Sequence, residues 1–261
     1  MAFLNPNPSL KLKTFTINLQ VVSLYEKQNI ESEVVSQALY GENFHILEKK
    51  NDWILIQLKD DNYTGWILNY SYFNFFKTNY MVNIPCTWVY NSPDIKSYPR
   101  IKLFAGSKLK VIELRKSWAR VEITEKKLFN GYIPVRHIVK KNKKLNWLNI
   151  IKQFENAPYL WGGKTVNGID CSGLLQLSLK FLGLKIPRDT KDQRNYFKNF
   201  ILKDKSKILK KGDIIFWKGH VAVILNNKKL IHANAFHMSV KIEQIESALK
   251  RINQQYVVIR F

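Results

Sequence analysis

Residues 158–178 read PYLWGGKTVNGIDCSGLLQLS, and this stretch decides how the C-terminal part of the chain folds. A glycine-rich loop leads into the tetrapeptide DCSG at 170–173, and a leucine-rich segment follows directly. The length and leucine content of that segment predict a buried helix. Cys171 would lie at or just before the first turn, where unpaired N–H groups and the helix dipole favour a thiolate. The stretch therefore predicts a nucleophilic cysteine.

Two histidines downstream could serve such a cysteine. The runs IIFW, HVAVIL and LIHANA are separated by short turns, which predicts an antiparallel meander. A hairpin turning about Asn226 would place His220 directly opposite His232, on one face of the sheet. One imidazole could then deprotonate Cys171 while the other holds its ring in the right tautomer. Proximity of His220 to the sulfur would also favour a thiolate–imidazolium pair.

Each of these residues also has a plainer interpretation. Taken alone, His220 fits a turn residue and His232 a hydrogen-bonded polar group in the core. Their coincidence with a cysteine at a helix start favours catalysis. Zinc is the rival chemistry, because catalytic zinc sites use three protein ligands. No HExxH or CxxC motif accompanies the three residues, so we predict no metal and no cofactor.

Composition narrows the class of protein. At 261 residues the chain is long enough for two or three domains. Two cysteines suit a reducing compartment, and no signal peptide or membrane span is visible. We therefore expect a cytoplasmic protein. The net charge of +22 could mark a polyanion partner, but the lysines are scattered. We interpret the charge as a surface composition bias, predict no specific nucleic-acid binding, and leave the oligomeric state open.

The first half of the chain shows a weak internal repeat. After an extended lead-in over residues 1–17, short strand-like runs alternate with turns, as in small barrels. The matching positions lie 65 or 66 residues apart: Gly41 with Gly106, Trp53 with Trp118, and Gly65-Trp66 with Gly131-Tyr132. The pattern resembles bacterial SH3-like barrels in tandem. We predict one such domain over 18–78, a second over 79–140, and a third domain of another kind over 145–261.

The third domain resembles a known family. The order YLWGG, DCSGLLQ, IPRDT, GDIIFWKGHVAVIL and LIHANA resembles the NlpC-type papain-like cysteine peptidases, which cut bacterial cell-wall peptides. Together with tandem SH3-like units, it resembles the three-domain members that cleave γ-D-glutamyl–L-diamino acid bonds in murein peptides. The resemblance implies an α+β fold, with a papain-like catalytic domain preceded by two small all-β SH3-like barrels.

The resemblance also implies roles for individual residues. It makes Cys171 the nucleophile, His220 the base and His232 the group that orients the base. Tyr159 would supply a hydroxyl on the oxyanion side. The remaining matched positions would bind substrate. Those expected to line the cleft are Trp161, Asp170, Ser172 and Arg188, and those expected to grip the free α-amino group of L-Ala are Asp189 and Thr190.

The predicted activity is hydrolysis of the γ-D-glutamyl–L-diamino acid bond in murein peptides with a free N-terminal L-Ala, by a Cys-His-His triad. Two alternatives stay open. One is a non-catalytic protein that binds cell wall or polyanions through the barrels and the positive charge. The other keeps the thiol chemistry but acts on a different amide, as an amidase or acyltransferase.

Overall fold

The structure is a computed structural model, and it describes residues 13–69, 72–124, 127–203 and 208–261. Most of the predicted lead-in, residues 1–12, lies outside these ranges. Its last part, Thr14–Ile17, was predicted as an extended approach to the first barrel but forms a strand within that sheet. The reason is its alternating sequence TFTI, which pairs with neighbouring strands on both sides.

The first third of the chain forms a seven-stranded antiparallel sheet. Its strands are β1 (Thr14–Ile17), β2 (Val21–Tyr25), β3 (Val34–Leu39), β4 (Asn43–Lys50), β5 (Trp53–Leu58), β6 (Thr64–Leu68) and β7 (Tyr72–Asn74). Their order across the sheet is β3-β2-β6-β5-β4-β1-β7. Alternate residues of β2 and β5 are buried, so one face of the sheet encloses an apolar core of its own.

The second third forms another seven-stranded sheet. Its strands are β8 (Tyr80–Val82), β9 (Cys86–Tyr90), β10 (Pro99–Phe104), β11 (Lys108–Leu114), β12 (Trp118–Thr124), β13 (Leu128–Pro134) and β14 (Ile138–Lys140). A short 3-10 turn, Val135–His137, precedes the last strand. The order β10-β9-β13-β12-β11-β8-β14 repeats that of the first sheet position by position.

The repeat extends to side chains and irregularities. Tyr25 meets Trp53 edge to face with ring centroids 5.5 Å apart, and Tyr90 meets Trp118 at the same 5.5 Å. The register of β4 against β5 shifts after Ile46, and that of β11 against β12 shifts after the equivalent Val111. The two units are therefore copies of one architecture, with the same core pair and the same bulge.

The remaining residues form an α+β unit. Its helices are α1 (Trp147–Lys152), α2 (Cys171–Leu182), α3 (Thr190–Tyr196) and α4 (Ile245–Ile252). Its strands are β15 (Lys164–Thr165), β16 (Gly168–Ile169), β17 (Ile214–Trp217), β18 (His220–Ile224), β19 (Lys229–Asn234), β20 (Ser239–Gln244) and β21 (Val257–Ile259). A 3-10 turn, Lys198–Phe200, follows α3. The longer strands form an antiparallel sheet, β20-β19-β18-β17-β21. None of the helices described is long and apolar enough to cross a membrane.

The two faces of this sheet carry different helices. Val221 and Val223 share a core with the leucines of α2, which is almost wholly buried. Ala222 and Ile224 share a second, smaller core with Ala248 of α4. The continuous apolar run in β17 and β18 reflects burial on both faces.

The predicted hairpin register was wrong by two residues. Ile224 pairs with Leu230, and the hydrogen bond from the Leu225 N–H to the Lys229 carbonyl centres the turn on residue 227 rather than on Asn226. The cause is the Asn226 side chain, which accepts from the N–H groups of residues 228 and 229 and so closes a three-residue loop. His232 consequently lies diagonal to His220 rather than opposite it, still on the same face.

A buried ion network joins the three units. Lys180 of α2 lies 2.7 Å from Glu42 and 3.1 Å from Asp60, both in the first unit. Lys108 of the second unit lies 2.8 Å from Asp60. The two lysines and two carboxylates are largely shielded from water, so each charge depends on its neighbours. Helix α2 is thereby held against both sheets.

Gly41 provides a test of how closely the first two units approach each other. Its φ is +78°, and a Cβ there would lie 2.1 Å from the Lys108 carbonyl oxygen. Gly212 has a similar φ of +92° with nothing within 4 Å of its Cβ position. Gly212→Ala should therefore lower the free energy of unfolding by about 1–2 kcal/mol through backbone strain alone. Gly41→Ala should lower it by about 2–5 kcal/mol, because a backbone collision is added.

Thermal unfolding midpoints of the two variants, measured side by side, check this expectation. Equal midpoints would show that the close approach at Gly41 does not exist in solution.

Candidate active site

The nucleophile candidate is the first residue of α2. Asp170 precedes it in an extended conformation, and its Oδ1 accepts a hydrogen bond of 2.7 Å from the Gly173 N–H, which caps the helix. Cys171 is buried, with 7% of its surface exposed, and Gly183 ends the helix at φ 90°. The predicted helix and both of its ends are confirmed.

The environment of Cys171 is less favourable to a thiolate than its helix position suggested. Burial raises the pKa of the thiol to about 12, and the nearby Asp170 carboxylate adds to the rise. The Val221 N–H, which hydrogen-bonds to the sulfur, and the Arg188 cation act in the opposite direction. Loss of hydration outweighs the helix terminus here. The contact with Val221 places Sγ beside the backbone at the start of β18, the strand that begins with His220.

The structure brings the two predicted histidines together. His220 Nε2 and His232 Nδ1 are 2.8 Å apart, and their ring centroids are 5.0 Å apart. Trp217, the last residue of β17, covers His220 with its ring at 5.5 Å. Burial lowers the pKa of His220 to about 3, with a further contribution from His232. Burial also lowers the pKa of His232. Both rings are therefore neutral at pH 7, and one must donate to the other.

Tyr159 lies near Cys171, as predicted. Its backbone is fixed by a parallel bridge to Ile169 and by an antiparallel bridge from the preceding Pro158 to Ser239. Its N–H donates to the Met238 carbonyl at 2.9 Å. Partial burial raises the pKa of its hydroxyl to about 12, and the charges that Cys171 and Asp170 carry when ionised contribute to the rise. Tyr159 thus remains a proton donor beside the sulfur.

Three of the residues expected to line the cleft form a buried network instead. Arg188 is 2% exposed and pairs with both oxygens of Asp170, at 2.9 and 2.6 Å. Its Nη1 also donates to Ser172 Oγ at 2.6 Å, and its Nε donates to Ser36 in the first unit at 3.2 Å. These buried polar groups satisfy one another's hydrogen bonds. Asp170, Ser172 and Arg188 therefore form a supporting network next to Cys171, whereas the sequence led us to expect them to line the cleft.

The other predicted binding residues lie at the surface, next to the first unit. Trp161 is 58% exposed, and its Nε1 donates to Glu33 at 2.6 Å. Asp189 is exposed, with both carboxylate oxygens 3.4 Å from the Tyr63 hydroxyl. Thr190 begins α3 directly after it. The first unit therefore contributes Glu33 and Tyr63 to the same surface.

Four residues of the site were missed by sequence reasoning: Glu33, Tyr63, Glu243 and Arg251. The first two belong to the barrel and meet the catalytic unit only in three dimensions. Glu243 occupies an alternating position in a strand, and Arg251 lies in the last turn of a helix. Both positions are typical of ordinary surface charges, so no local pattern distinguishes them.

His232, His237 and Glu243 have ligand atoms within 4.8 Å of one another, which is close enough to hold a metal ion. The surroundings do not suit one. Arg251 contacts both oxygens of Glu243, and His237 Nδ1 lies 3.0 Å from Asn234 Oδ1. A guanidinium already occupies the carboxylate, and its charge would repel a second cation.

Comparisons with known proteins find relatives for both halves of the chain. Residues 156–260 match the NlpC/P60 family, and residues 24–70 match the bacterial dipeptidyl-peptidase SH3 domain. The chain is 26% identical to dipeptidyl-peptidase 6 of Lysinibacillus sphaericus, covering 87% of this chain and 89% of that one. It is 28% identical to a γ-D-glutamyl-L-lysine dipeptidyl-peptidase of Bacillus cereus, and the alignment covers 81% of this chain and 70% of that protein.

Among solved structures, an NlpC/P60 family protein from Bacillus cereus superposes with a TM-score of 0.79 at 19% identity. The superposition covers 94% of this chain and 98% of the Bacillus cereus protein, which establishes a shared fold. The fold and the site thus define a cysteine peptidase with a papain-like catalytic unit. That unit belongs to the NlpC/P60 family, and a bacterial SH3 domain precedes it in the chain.

The buried pair between Arg188 and Asp170 leads to a stability prediction. Arg188→Met would leave the Asp170 carboxylate buried without its cation, which should cost about 3–5 kcal/mol of unfolding free energy. Arg188→Lys keeps a charge but loses the bidentate geometry, so its loss should be smaller. Arg194→Met, at an exposed position on α3, is the matched control and should have little effect. Denaturant unfolding of all four proteins gives the ranking, and an Arg188→Met protein as stable as the control would contradict it.

Proposed function

We propose that this protein hydrolyses the γ-D-glutamyl–L-diamino acid bond of murein peptides whose N-terminal L-Ala carries a free amino group. The observation that carries the proposal is the 2.8 Å contact between His220 and His232, because His220 begins β18 and the next residue of that strand, Val221, contacts the cysteine at the tip of α2. The names of the relatives, dipeptidyl-peptidase 6 and γ-D-glutamyl-L-lysine dipeptidyl-peptidase, support the bond and the class of substrate.

In the proposed mechanism Cys171 attacks the γ-glutamyl carbonyl carbon. Because burial disfavours both the thiolate and the imidazolium taken singly, the proton passes from Sγ to His220 as the sulfur–carbon bond forms. The tetrahedral oxyanion accepts hydrogen bonds from the Tyr159 hydroxyl and from backbone N–H groups. His220 then protonates the leaving amine of the diamino acid, and water hydrolyses the thioester to regenerate the thiol.

The free amino end of the peptide would bind where the first unit meets the catalytic unit. There the Asp189 carboxylate and the Tyr63 hydroxyl lie 3.4 Å apart at the surface, and Glu33 and Trp161 form a second contact between the two units. An ammonium is the natural partner for this group, because it offers three donors and a compensating charge. Thr190 would contribute its hydroxyl alongside Asp189.

The architecture proposed is a tandem of SH3-like barrels followed by the peptidase. The first barrel matches a known SH3 domain, and the shared strand order, aromatic pair and bulge support the same assignment for the second unit. We assign residues 18–78 together with strand β1 (Thr14–Ile17) to the first barrel, residues 79–140 to the second and residues 145–261 to the peptidase. We also propose that the activity is cytoplasmic and acts on turnover fragments of murein.

The reaction itself is tested by mass spectrometry of L-Ala-γ-D-Glu–diaminopimelate and its L-lysine counterpart after incubation with the protein. The expected products are L-Ala-γ-D-Glu and the free diamino acid. Cys171→Ala should abolish them while the thermal midpoint stays close to that of the wild type. Cys86→Ala, which removes the second cysteine of the chain, should hydrolyse normally. Turnover by Cys171→Ala, or none by the wild type, would refute the proposal.

The recognition of the free amine is tested separately. Asp189→Asn should lower kcat/KM for the free peptide by roughly 10- to 100-fold, because one charge-assisted contact is lost. The N-acetylated peptide should be a poor substrate for the wild type and should be affected little by the substitution. Asp192→Asn, an exposed acid three residues further on, is the control. Equal cleavage of both peptides by the wild type would show that Asp189 does not select the amine.

A further inference from the structure

The hydrogen-bonded chain that starts at His220 continues beyond His232. His232 Nε2 lies 2.6 Å from Glu243 Oε1, on the neighbouring strand β20. Arg251 of α4 grips both oxygens of Glu243, with Nη1 at 2.7 Å from Oε2. The Arg251 guanidinium in turn lies over the Phe236 ring, 4.5 Å from its centroid. Four consecutive polar side chains are therefore fixed in one line.

The line has a definite direction of hydrogen bonding. The Glu243 carboxylate only accepts, and Arg251 keeps it ionised by lowering its pKa. The proton on His232 must then sit on Nε2, which leaves a lone pair on Nδ1. That lone pair accepts the proton on His220 Nε2 at 2.8 Å. In a neutral His220 the remaining nitrogen, Nδ1, is unprotonated and can act as a base.

The opposite arrangement would disable the site. If His232 carried its proton on Nδ1, it would donate to His220 Nε2, and His220 would hold its own proton on Nδ1. No lone pair would then be available to receive the thiol proton. Because each imidazole is neutral, the choice between the two arrangements depends on what faces His232 Nε2.

We infer that Glu243, anchored by Arg251, is a positioning residue that sets the tautomers of His232 and His220 and leaves His220 Nδ1 free as the base. The inference rests on the proposed roles of Cys171 and His220. Besides the rings themselves, the groups that shift their pKa values are Glu243 on β20, Arg251 on α4 and His237 in the loop after β19. In the proposed mechanism Cys171 of α2 is the further titratable neighbour of His220. Glu243 stabilises an imidazolium, and Arg251 and His237 oppose it.

The test combines kinetics with nuclear magnetic resonance of ¹⁵N-histidine-labelled protein. In the wild type, the nitrogen shifts should show protonated Nε2 and unprotonated Nδ1 on both rings. Glu243→Gln can accept or donate at His232 Nε2, so this pattern should be lost. Its kcat should fall roughly tenfold or more with KM little changed, up to the 10²–10⁴-fold that general base catalysis supplies. Glu246→Gln, an exposed residue in the first turn of α4, is the matched control.

The pH dependence separates positioning from a purely structural role. Removing the Glu243 anion should move the acid limb of kcat/KM to lower pH, because the imidazolium loses its stabilising charge. Arg251→Met removes a cation that lowers the pKa of His220, so its acid limb should move to higher pH. If the two substitutions only destabilised the fold, the acid limbs of both variants would shift in the same direction or would not shift.

The outcomes distinguish this inference from the proposed function. If the wild type hydrolyses the peptide but its His220 Nδ1 is protonated, or if Glu243→Gln keeps full kcat and an unchanged profile, the inference is overturned. If the wild type hydrolyses nothing, the proposed function fails, and the nitrogen shifts still decide how Glu243 sets the two rings.

Discussion

The buried ion pair between Asp170 and Arg188 is the interaction on which the rest of the site depends. Asp170 caps α2 through Gly173, accepts the Gly162 N–H at 2.8 Å and holds Arg188 with both oxygens. Arg188 reaches Ser36 of the first barrel. One carboxylate thus fixes the start of α2, the glycine-rich loop and the loop that carries Asp189. A buried charge satisfied from so many sides tolerates only one arrangement of these segments.

Much of the catalytic unit could be predicted because its signals are local. Cys171 begins a leucine-rich helix that ends at Gly183, so length and composition were enough to place the candidate nucleophile at the start of a helix. The meander that carries His220 and His232 was visible in its β-branched runs. The register was wrong because it depends on the turn, and the Asn226 side chain closes a three-residue loop centred one position later than the pattern indicated. Alternation nevertheless preserved the face, since a shift of two residues returns every side chain to its original side.

The sequence could not predict which residues of different units contact each other, or which distant charges pair. Tyr63 meets Asp189 across 126 residues of chain, and nothing in either neighbourhood signals the other. Glu243 and Arg251 are close in sequence, but only the folded structure shows that Glu243 contacts His232 and that Arg251 holds Glu243. In a chain of net charge +22, the sequence does not distinguish Arg251 from the many other basic residues. Charges acquire a specific role here only once burial removes the competing water, and burial is a property of the folded molecule.

The duplicated barrels show how one architecture acquires two roles. Strand pairing aligns Glu33 and Tyr63 of the first copy with Tyr98 and Phe129 of the second. Phe129 has no hydroxyl to offer, and its ring lies 4.2 Å beneath the Arg100 guanidinium instead. The equivalent of Glu33 is an uncharged, exposed tyrosine. The polar pair Glu33 and Tyr63, which contacts Trp161 and Asp189 of the catalytic unit, therefore exists in one copy only. Because the shared core pair and bulge need none of these four side chains, the first barrel could specialise for the active site without any change to the fold that both copies retain.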